Sequence, residues 1–171
     1  MRGRPWPPLT VVVLADTHLR GGLERLPGSV GRAIEGADVV LHAGDITSPD
    51  ALAALRTLAE THAVLGNNDV ALSGLLPEFL VVDLAGMSVA LVHDAGPGNG
   101  RAGRLKRRFP DADLVVFGHS HAPVDELGLG GQRLFNPGSP TQRRRQPYPT
   151  FGSLEIASGR VLAHAIEAAT P

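Results

Sequence analysis

The feature that most constrains this chain is a repeated order of residues: a short β-branched run, followed at once by aspartate, asparagine or histidine. The five runs end at Ala15, Ala43, Leu65, Val92 and Phe117, and the polar residues that follow are Asp16, His18, Asp45, Asn67, His93, His119 and His121. Runs this apolar are typical of strands buried on both faces, in sheets covered by helices. Because the carboxyl ends of strands in such sheets converge on a crevice, we expect these side chains to share one site.

Helix signals lie between the early strands. Ser48 is a good N-cap and Pro49 suits the first helical position, so a helix is predicted over residues 51–60. Weaker signals predict helices at about residues 29–35 and 101–109, the second stopped by Pro110.

The second half of the chain favours antiparallel strands. Residues 79–84 and 87–92 flank Ala85-Gly86, and residues 152–157 and 160–165 flank Ser158-Gly159, as two hairpins would. The sequence therefore predicts an α/β (α+β) layered domain with mixed sheets, and we expect one domain over residues 1–171. Periodicity alone leaves open whether the strands form one sheet or two.

Composition excludes several kinds of site. The chain has no cysteine, so any metal must be held by nitrogen and oxygen. The formal net charge of -1 provides no overall attraction to nucleic acid or to a membrane. The basic segment Met1–Pro5 and the apolar run after it resemble a signal peptide, but the run is short and is followed by Asp16 in place of a cleavage site. We expect a cytoplasmic protein without a membrane span.

The donor types indicate metal chemistry. Aspartate, histidine and asparagine suit Mn, Fe, Co, Ni or Zn, and residues two apart in extended backbone point the same way. The seven donors exceed the four to six that one such ion usually takes, so two ions are favoured. Glycines at 44, 66 and 118 are expected to let the chain turn sharply beside the ligands.

These motifs in order resemble the calcineurin-like metallophosphoesterases, and their compact spacing resembles the small bacterial and archaeal phosphodiesterase branch. The elements are Asp16-x-His18, Gly44-Asp45, Gly66-Asn67-Asn68-Asp69, His93, Gly118-His119-Ser120-His121 and Asn136-Pro137-Gly138-Ser139. The resemblance implies a four-layer α-β-β-α sandwich with two mixed β-sheets. It also implies two divalent ions, with Mn the first expectation and Zn, Fe, Co or Ni as alternatives.

Roles for the residues follow from the same resemblance. Asp16, His18, Asp45 and His121 would hold one metal ion, and Asp45, Asn67, His93 and His119 the other, with Asp45 bridging. A bridging hydroxide would then attack the phosphorus of a small phosphodiester. Asp45, Asn67 and His93 are the predicted catalytic residues, and Asn136 and Ser139 are predicted to bind substrate.

Three departures from the family pattern are visible. Asn68 stands where larger phosphatases of the superfamily carry a histidine that can protonate the leaving group. No arginine follows Gly44-Asp45 closely, which argues against the protein serine/threonine phosphatases. His93 is followed by Asp94 where small members more often have glycine, so the loop to Gly100 is poorly predicted.

Several alternatives stay open. Asn68 could replace Asn67 as the ligand, Asp69 could orient a ligand or cap a turn, and His42 could be a packed core residue or support the site. The arginines at 101–108 and 143–145 could be solvated or could contact a substrate phosphate. A retromer-subunit-like scaffold on the same fold is the main alternative function, a nucleic-acid-processing enzyme is another, and self-association into a homo-oligomer is open.

Overall fold

The computed structural model describes residues 7–171, so the basic segment at residues 1–5 lies outside the described residues. These residues form ten strands and three α-helices. Strands and helices alternate in the first half of the chain, and the second half is richer in strands, as the sequence predicts. In chain order they are β1 (Leu9–Leu14), α1 (Gly28–Glu35), β2 (Val39–His42), α2 (Pro49–Leu58), β3 (Glu60–Ala63), β4 (Phe79–Leu84), β5 (Met87–Val92), α3 (Arg101–Arg108), β6 (Leu114–Val116), β7 (Val124–Leu127), β8 (Arg133–Asn136), β9 (Thr150–Ala157) and β10 (Arg160–Ala168). Short 3₁₀ turns lie at Val70–Leu72 and Leu129–Gly131.

The strands form two five-stranded mixed sheets. The first has the order β10-β9-β1-β2-β3, with β1, β2 and β3 parallel and β9 antiparallel to β1. The second has the order β4-β5-β6-β8-β7, with β5, β6 and β8 parallel. Each sheet therefore carries three parallel strands that end at one edge, and antiparallel strands complete its sides.

The two sheets pack face to face, and side-chain alternation along the central strands explains why. In β1, Val11 and Val13 belong to the core between the sheets, whereas Val12 and Leu14 pack on the helix side. In β6, Leu114 and Val116 face the first sheet and Val115 faces outward. These strands are apolar on both faces because both faces are covered.

Helices cover the two outer faces. Val30 and Ile34 of α1 and Leu55 of α2 pack on the first sheet, and Leu105 of α3 packs on the second. The helix at Ser48 begins as predicted, since the Ser48 hydroxyl accepts a hydrogen bond from the Ala51 amide at 3.3 Å. The predicted α-β-β-α sandwich with two mixed sheets is confirmed, and the assignment of residues 1–171 to one domain stays a prediction.

The structure differs from the predicted elements at some edges. The third strand ends at Ala63, so Leu65, which is predicted to end this strand, lies in the loop after it. Strand β4 is an edge strand, and Phe79 and Val81 are about half exposed, at 50% and 53%, so only one of its faces is covered. Strands β7 and β8 have no counterpart in the prediction because neither has more than two consecutive apolar residues.

None of the helices within residues 7–171 has the length and apolar character that crossing a bilayer requires.

We predict that Gly152→Ala in β9 destabilises the protein by about 1–3 kcal/mol through overpacking between the sheets. An added Cβ would lie 2.4 Å from Cε1 of the Phe135 ring, which reaches it from the opposite sheet. The free energy of unfolding in urea would measure the loss.

Gly31→Ala in α1 is the matched control. An added Cβ there meets no atom within 4 Å, and alanine in a helix interior is favoured over glycine by about 0.5–1 kcal/mol. An unchanged stability for Gly152→Ala would contradict the close approach of the two sheets at this point.

Candidate metal centre

The seven predicted ligands lie together at the carboxyl ends of parallel strands from both sheets. The first sheet places Asp16, His18, Asp45 and Asn67 after β1, β2 and β3. The second sheet places His93, His119 and His121 after β5 and β6. The site therefore straddles the gap between the sheets, and the packing of the sheets sets the distances across it.

One group of side chains forms on the side of His121. Its Nε2 atom lies 3.4 Å from His18 Nε2 and 3.5 Å from Asp16 Oδ1. Asp16, His18 and His121 each offer a ligand atom within 4.8 Å of the others. These three residues are the core of the first predicted ion site.

A second group forms around His93. Asn67 Oδ1 lies 3.0 Å from His93 Nε2 and 3.1 Å from His119 Nδ1. The two histidine nitrogens are 3.3 Å apart. Asn68 points elsewhere, so the structure brings Asn67 and not Asn68 to the histidines.

Two carboxylates lie between the groups. Asp45 Oδ2 is 3.6 Å from His18 Nε2 and 3.5 Å from His93 Nε2. Asp16 Oδ1 is 3.5 Å from His121 and 3.9 Å from His93, and a second compact triad consists of Asp16, Asp45 and His93. Asp45 contacts both groups, as a bridging ligand must, and its bridging role stays a prediction.

The hydrogen-bond pattern fits a cation between these atoms. His121 Nδ1 donates to the Gln142 carbonyl at 2.7 Å, and burial lowers the pKa of His121, so its Nε2 presents a lone pair to Asp16. Asp16 Oδ1 is buried and finds no hydrogen-bond donor among the described residues. When Asp16 is ionised, its Oδ1 and the His121 lone pair are two acceptors that repel each other, and a proton or a divalent ion between them would reverse the sign of that interaction. Histidine ligands of metals usually donate their second nitrogen to a carbonyl, as His121 does.

The backbone around the site is unusual. Asp16, His18, Asp45, His119 and His121 all have positive φ, between 43° and 70°. Non-glycine residues adopt this left-handed conformation rarely and at a cost of about 1–3 kcal/mol each. Five of the seven predicted ligands share it, so the loops are held in place by contacts that outweigh the strain.

Asp69 supplies many of those contacts. Its Oδ2 accepts hydrogen bonds from the amides of Asp45 and Gly66 at 2.8 Å each, and its Oδ1 accepts from the Thr47 amide at 2.6 Å. Asp69 therefore ties the loop after β2 to the loop after β3. Of the two roles left open by the sequence, orientation of the Asp45 loop is the one that the geometry supports.

Asn68 holds the Asp45 carboxylate directly. Its amide donates to Oδ1 at 2.8 Å and its Nδ2 donates to Oδ2 at 2.7 Å. Burial alone would raise the pKa of Asp45, but the hydrogen bonds from His93 and Asn68 lower it well below its usual range. Asp45 thus stays ionised, as a ligand should.

Asp16 and His93 respond to burial in different ways. Burial raises the pKa of Asp16 to about 7, opposed by the nearby His93. Burial alone would lower the pKa of His93, but its contacts with Asp45, the Ala43 carbonyl and Asp16 raise it. Without a metal ion, protons are the cations that offset these carboxylates, so metal uptake must displace them.

The predicted substrate residues, Asn136 and Ser139, are buried. Asn136 ends β8, is fully buried, and donates to the Gly118 carbonyl at 3.1 Å and to Ser120 Oγ at 3.2 Å. The buried Ser139 hydroxyl donates to the Asp16 carbonyl at 2.7 Å. Both side chains hold ligand loops in this structure, and direct contact with substrate stays a prediction.

His42 lies beneath the site. It is fully buried, its Nε2 is 2.9 Å from Thr17 Oγ1, and burial lowers its pKa to about 3. Thr17 stands between Asp16 and His18, so the neutral His42 ring supports the loop that carries both. This is the supporting role that the sequence leaves open for His42.

Arg144 is a residue near the site that the sequence does not single out from its neighbours. Its Nη1 donates to the His119 carbonyl at 3.2 Å, and its positive charge acts to lower the pKa values of Asp16, His18 and His121. Two arginines of the run at 101–108 make other contacts. Arg101 lies over the Phe117 ring, and Arg104 donates to three carbonyls of the loop before α3.

Two grooves lie beside the site, and each is lined by a different predicted ligand. The larger groove, about 940 Å³, is lined by Thr17, His18, Leu19, Arg20, Gly21, Arg25, Pro27, Thr47, Ser48, Pro49, Asn68, Pro140, Thr141 and Gln142. The smaller groove, about 400 Å³, is lined by Asp94, Ala95, Gly96, Pro97, Gly98, Arg101, Phe117, Gly118, His119 and Ser120. The larger groove therefore begins at His18 and the smaller at His119.

We predict that His42→Gln lowers the stability of the metal-free protein by about 1–3 kcal/mol at pH 7 and makes it less sensitive to acid. The unfolded chain binds a proton on His42 below pH about 6.5, whereas the folded protein does so only near pH 3. In the native sequence, His42 therefore makes stability fall as the pH decreases between these values, by up to about 1.4 kcal/mol per pH unit.

Urea unfolding at pH 7, 6, 5 and 4 would measure this slope. Thr17→Val is the matched control, because it removes the partner hydroxyl and keeps the buried ring, and it should lose stability while keeping the steep slope. Equal slopes in His42→Gln and the native protein would refute the neutral buried form.

We also predict that Gly66→Ala weakens divalent metal binding by about tenfold or more while the protein remains folded. An added Cβ would lie 2.1 Å from Asp45 Oδ1 and 2.3 Å from the Asp45 amide, so the carboxylate must move. Gly66 does not have a positive φ angle, so the backbone conformation expected for a sharp turn is not the reason for glycine here. Glycine is required because Asp45 lies where a side chain would begin. Calorimetric titration with Mn²⁺ would test this, with Gly31→Ala as the control, and native affinity in folded Gly66→Ala would contradict it.

Comparison with known proteins places this geometry in a family. The model of the calcineurin-like phosphoesterase superfamily domain matches residues 9–159. A probable metallophosphoesterase from Methanothermobacter thermautotrophicus is 32% identical over 165 residues, which cover 95% of each chain.

Solved structures agree on the fold. Vps29 from Entamoeba histolytica, complexed with Zn²⁺, matches with a TM-score of 0.73 at 24% identity, over 93% of this chain and 97% of that one. A structure described as a novel archaeal phosphodiesterase matches with a TM-score of 0.70 at 21% identity, over 93% of this chain and 100% of that one. On its sequence and its fold, the chain belongs to the calcineurin-like phosphoesterase superfamily.

Proposed function

We propose that this chain is a phosphodiesterase that works with two divalent metal ions. The observation that carries the proposal is the convergence of seven side-chain donors from two sheets, with Asp45 within 3.6 Å of both His18 and His93. One ion would be held by Asp16, His18, Asp45 and His121, and the other by Asp45, Asn67, His93 and His119. Membership of the superfamily supports a hydrolase of this kind.

Two bound ions would supply an activated water and would neutralise charge on the phosphoryl oxygens. The residues of the chain prepare the place where this happens. Asp45, Asn67 and His93 would hold the ions. The His93 ring is oriented by its Nδ1, which donates to the Ala43 carbonyl at 2.7 Å. Asn67 and His119 are exposed whereas Asp16 and His121 are buried, so substrate approaches from the side of Asn67 and His119.

Arg144 is suited to bind the phosphoryl group. Its guanidinium is exposed beside the ligand loops, and its contact with the His119 carbonyl uses Nη1 and leaves other donors free. An arginine offers several planar donors that match phosphate oxygens. We therefore infer that Arg144 helps to hold the phosphate, a role that the basic run at 143–145 leaves open in the sequence.

The grooves favour a diester over a monoester. A phosphodiester carries two substituents, and the larger and smaller grooves extend from different ligands, His18 and His119. A monoester would fill only one of them. A small phosphodiester is the substrate that uses both.

We propose manganese as the first candidate metal, as the family resemblance implies. The donor set consists of imidazole, carboxylate and amide without sulfur, which suits Mn, Fe, Co, Ni and Zn alike. Zinc is supported as an alternative by the Zn²⁺ complex of the amoebal Vps29.

The second candidate function is a protein-binding scaffold. It is favoured by the likeness of the fold to Vps29. A scaffold, however, gives no physical reason for a complete set of donors with an exposed side. We therefore rank the enzyme first.

We predict that the native protein binds about two Mn²⁺ per chain and hydrolyses bis(p-nitrophenyl) phosphate, and that Asp45→Ala lowers kcat by about a hundredfold or more. The substitution removes the carboxylate that lies between the two histidine groups. Asp111→Ala is the control and should keep native activity. Asp111 is exposed and precedes β6, at the end of the strand opposite to the ligand loop.

Metal analysis and a panel of mono- and diesters would complete the test. Near-native turnover in Asp45→Ala would exclude the bridging role. A folded native protein that binds metal but hydrolyses no ester with Mn²⁺, Zn²⁺, Co²⁺ or Ni²⁺ would favour the scaffold.

A further inference from the structure

We propose that the larger groove is a binding subsite for a second anionic group on the substrate, which makes the preferred substrate a phosphodiester with a nucleotide-like substituent. This inference rests on the proposed function for the position of the scissile phosphate at the metal centre. It adds which substituent is recognised and by which residues.

The charges that line the larger groove carry the inference. Arg20 and Arg25 both line it, and no aspartate or glutamate does. The acidic residues that are near in sequence, Glu24 and Asp50, are absent from the lining. Neither arginine has a carboxylate oxygen within 4.0 Å or a side-chain hydrogen bond within residues 7–171. Two arginines without a carboxylate partner on the lining of one groove are suited to a phosphate or another multiply charged anion.

The smaller groove has a different character. Its lining contains one acid and one base, Asp94 and Arg101, together with Phe117. Arg101 lies over the Phe117 ring, 4.9 Å from its centroid, so one face of its guanidinium is covered. The larger groove therefore has two arginines and no carboxylate, whereas the smaller has one of each, so the two substituents of the diester would meet different charges.

The walls of the larger groove are held in place before any ligand binds. Thr47 Oγ1 donates to the Leu19 carbonyl at 2.6 Å, and Ser48 Oγ donates to the Gly21 carbonyl at 2.5 Å. The Leu19 amide donates in turn to the Ile46 carbonyl at 2.9 Å. These bonds fix the segment that carries Arg20 to the loop before α2, and a preformed site loses less entropy on binding.

The size and the remaining lining suit a nucleotide-sized group. A volume of about 940 Å³ is at the upper end of ordinary small-molecule sites. Pro27 and Pro49 offer apolar surfaces, and the Gln142 side chain makes no hydrogen bond to another described residue. A sugar or base would contact these surfaces while its additional phosphate contacts the arginines.

The test compares two substrates that differ by one phosphate: thymidine 5′-(p-nitrophenyl phosphate) and the same ester with a 3′-phosphate. The native protein should prefer the 3′-phosphorylated ester in kcat/KM by about tenfold or more, because one charge-assisted contact is worth about that factor. Arg20→Gln and Arg25→Gln should each reduce the preference, and the double variant should abolish it. Hydrolysis of bis(p-nitrophenyl) phosphate should stay within about twofold of native in all of them.

Arg56→Gln is the matched control, since Arg56 is an exposed arginine on α2 that lines neither groove. Substitutions at exposed, unpaired positions rarely unfold a protein, and thermal unfolding would verify this for each variant. The preference should weaken as salt is raised, because exposed charges are screened.

A binding measurement separates this proposal from the proposed function. Calorimetry with thymidine 3′,5′-bisphosphate and thymidine 5′-monophosphate reports on the groove even if no ester is hydrolysed. Tighter binding of the bisphosphate that is lost in the double variant supports the subsite, whatever the turnover. Equal binding of the two nucleotides, or a preference that the double variant retains, overturns it.

Discussion

The structure depends on a repulsion between Asp16 and His121 that only a bound cation, a proton or a metal ion, relieves. Asp16 is fully buried, its Oδ1 has no donor among the described residues, and the neutral His121 turns a lone pair toward it. Such an arrangement costs several kcal/mol unless a cation occupies it. The surrounding contacts keep the ligands in place in spite of this cost. Asp69, Asn68 and the carbonyls of Ala43 and Gln142 fix the loops and the imidazole rings.

This constraint explains why two sheets are needed. Four of the predicted ligands leave the first sheet and three leave the second, so neither sheet alone could surround a pair of ions. The distance across the centre is set by packing far below it, where Phe135 of one sheet rests against Gly152 of the other. Because close-packed interiors deform little, the core defines the width of the site. The order of β5, β6 and β8 then brings a third loop, with Asn136 and Ser139, beneath the same edge.

Much of this could be predicted from the sequence, and the omissions have physical causes. Strands β1, β2, β5 and β6 are recognisable because covered strands need continuous apolar runs. Strand β8 has only two consecutive apolar residues and lacks that signal, although Leu134 and Phe135 before Asn136 repeat the same order of apolar run and polar residue. The left-handed backbone at Asp16 and His119 leaves no trace in the sequence, since glycine is the residue that normally marks it. The position of Arg144 and the two grooves depend on how distant loops meet, so composition and spacing give no information about them.

The likeness of the fold to Vps29 bears on the difference between binding a metal and catalysing a reaction. The amoebal Vps29 complexed with Zn²⁺ shows that this fold can hold a metal in a protein named for vacuolar sorting, so metal binding alone is weak support for catalysis. Catalysis needs more: a side of the centre that a substrate can reach, and surfaces that hold its substituents. In this chain, Asn67 and His119 are exposed, Arg144 stands beside them, and grooves of different charge leave from His18 and His119. A centre that served only to stabilise loops would be most stable when closed on every side, so the open side adds to the convergent donor set as support for an enzyme.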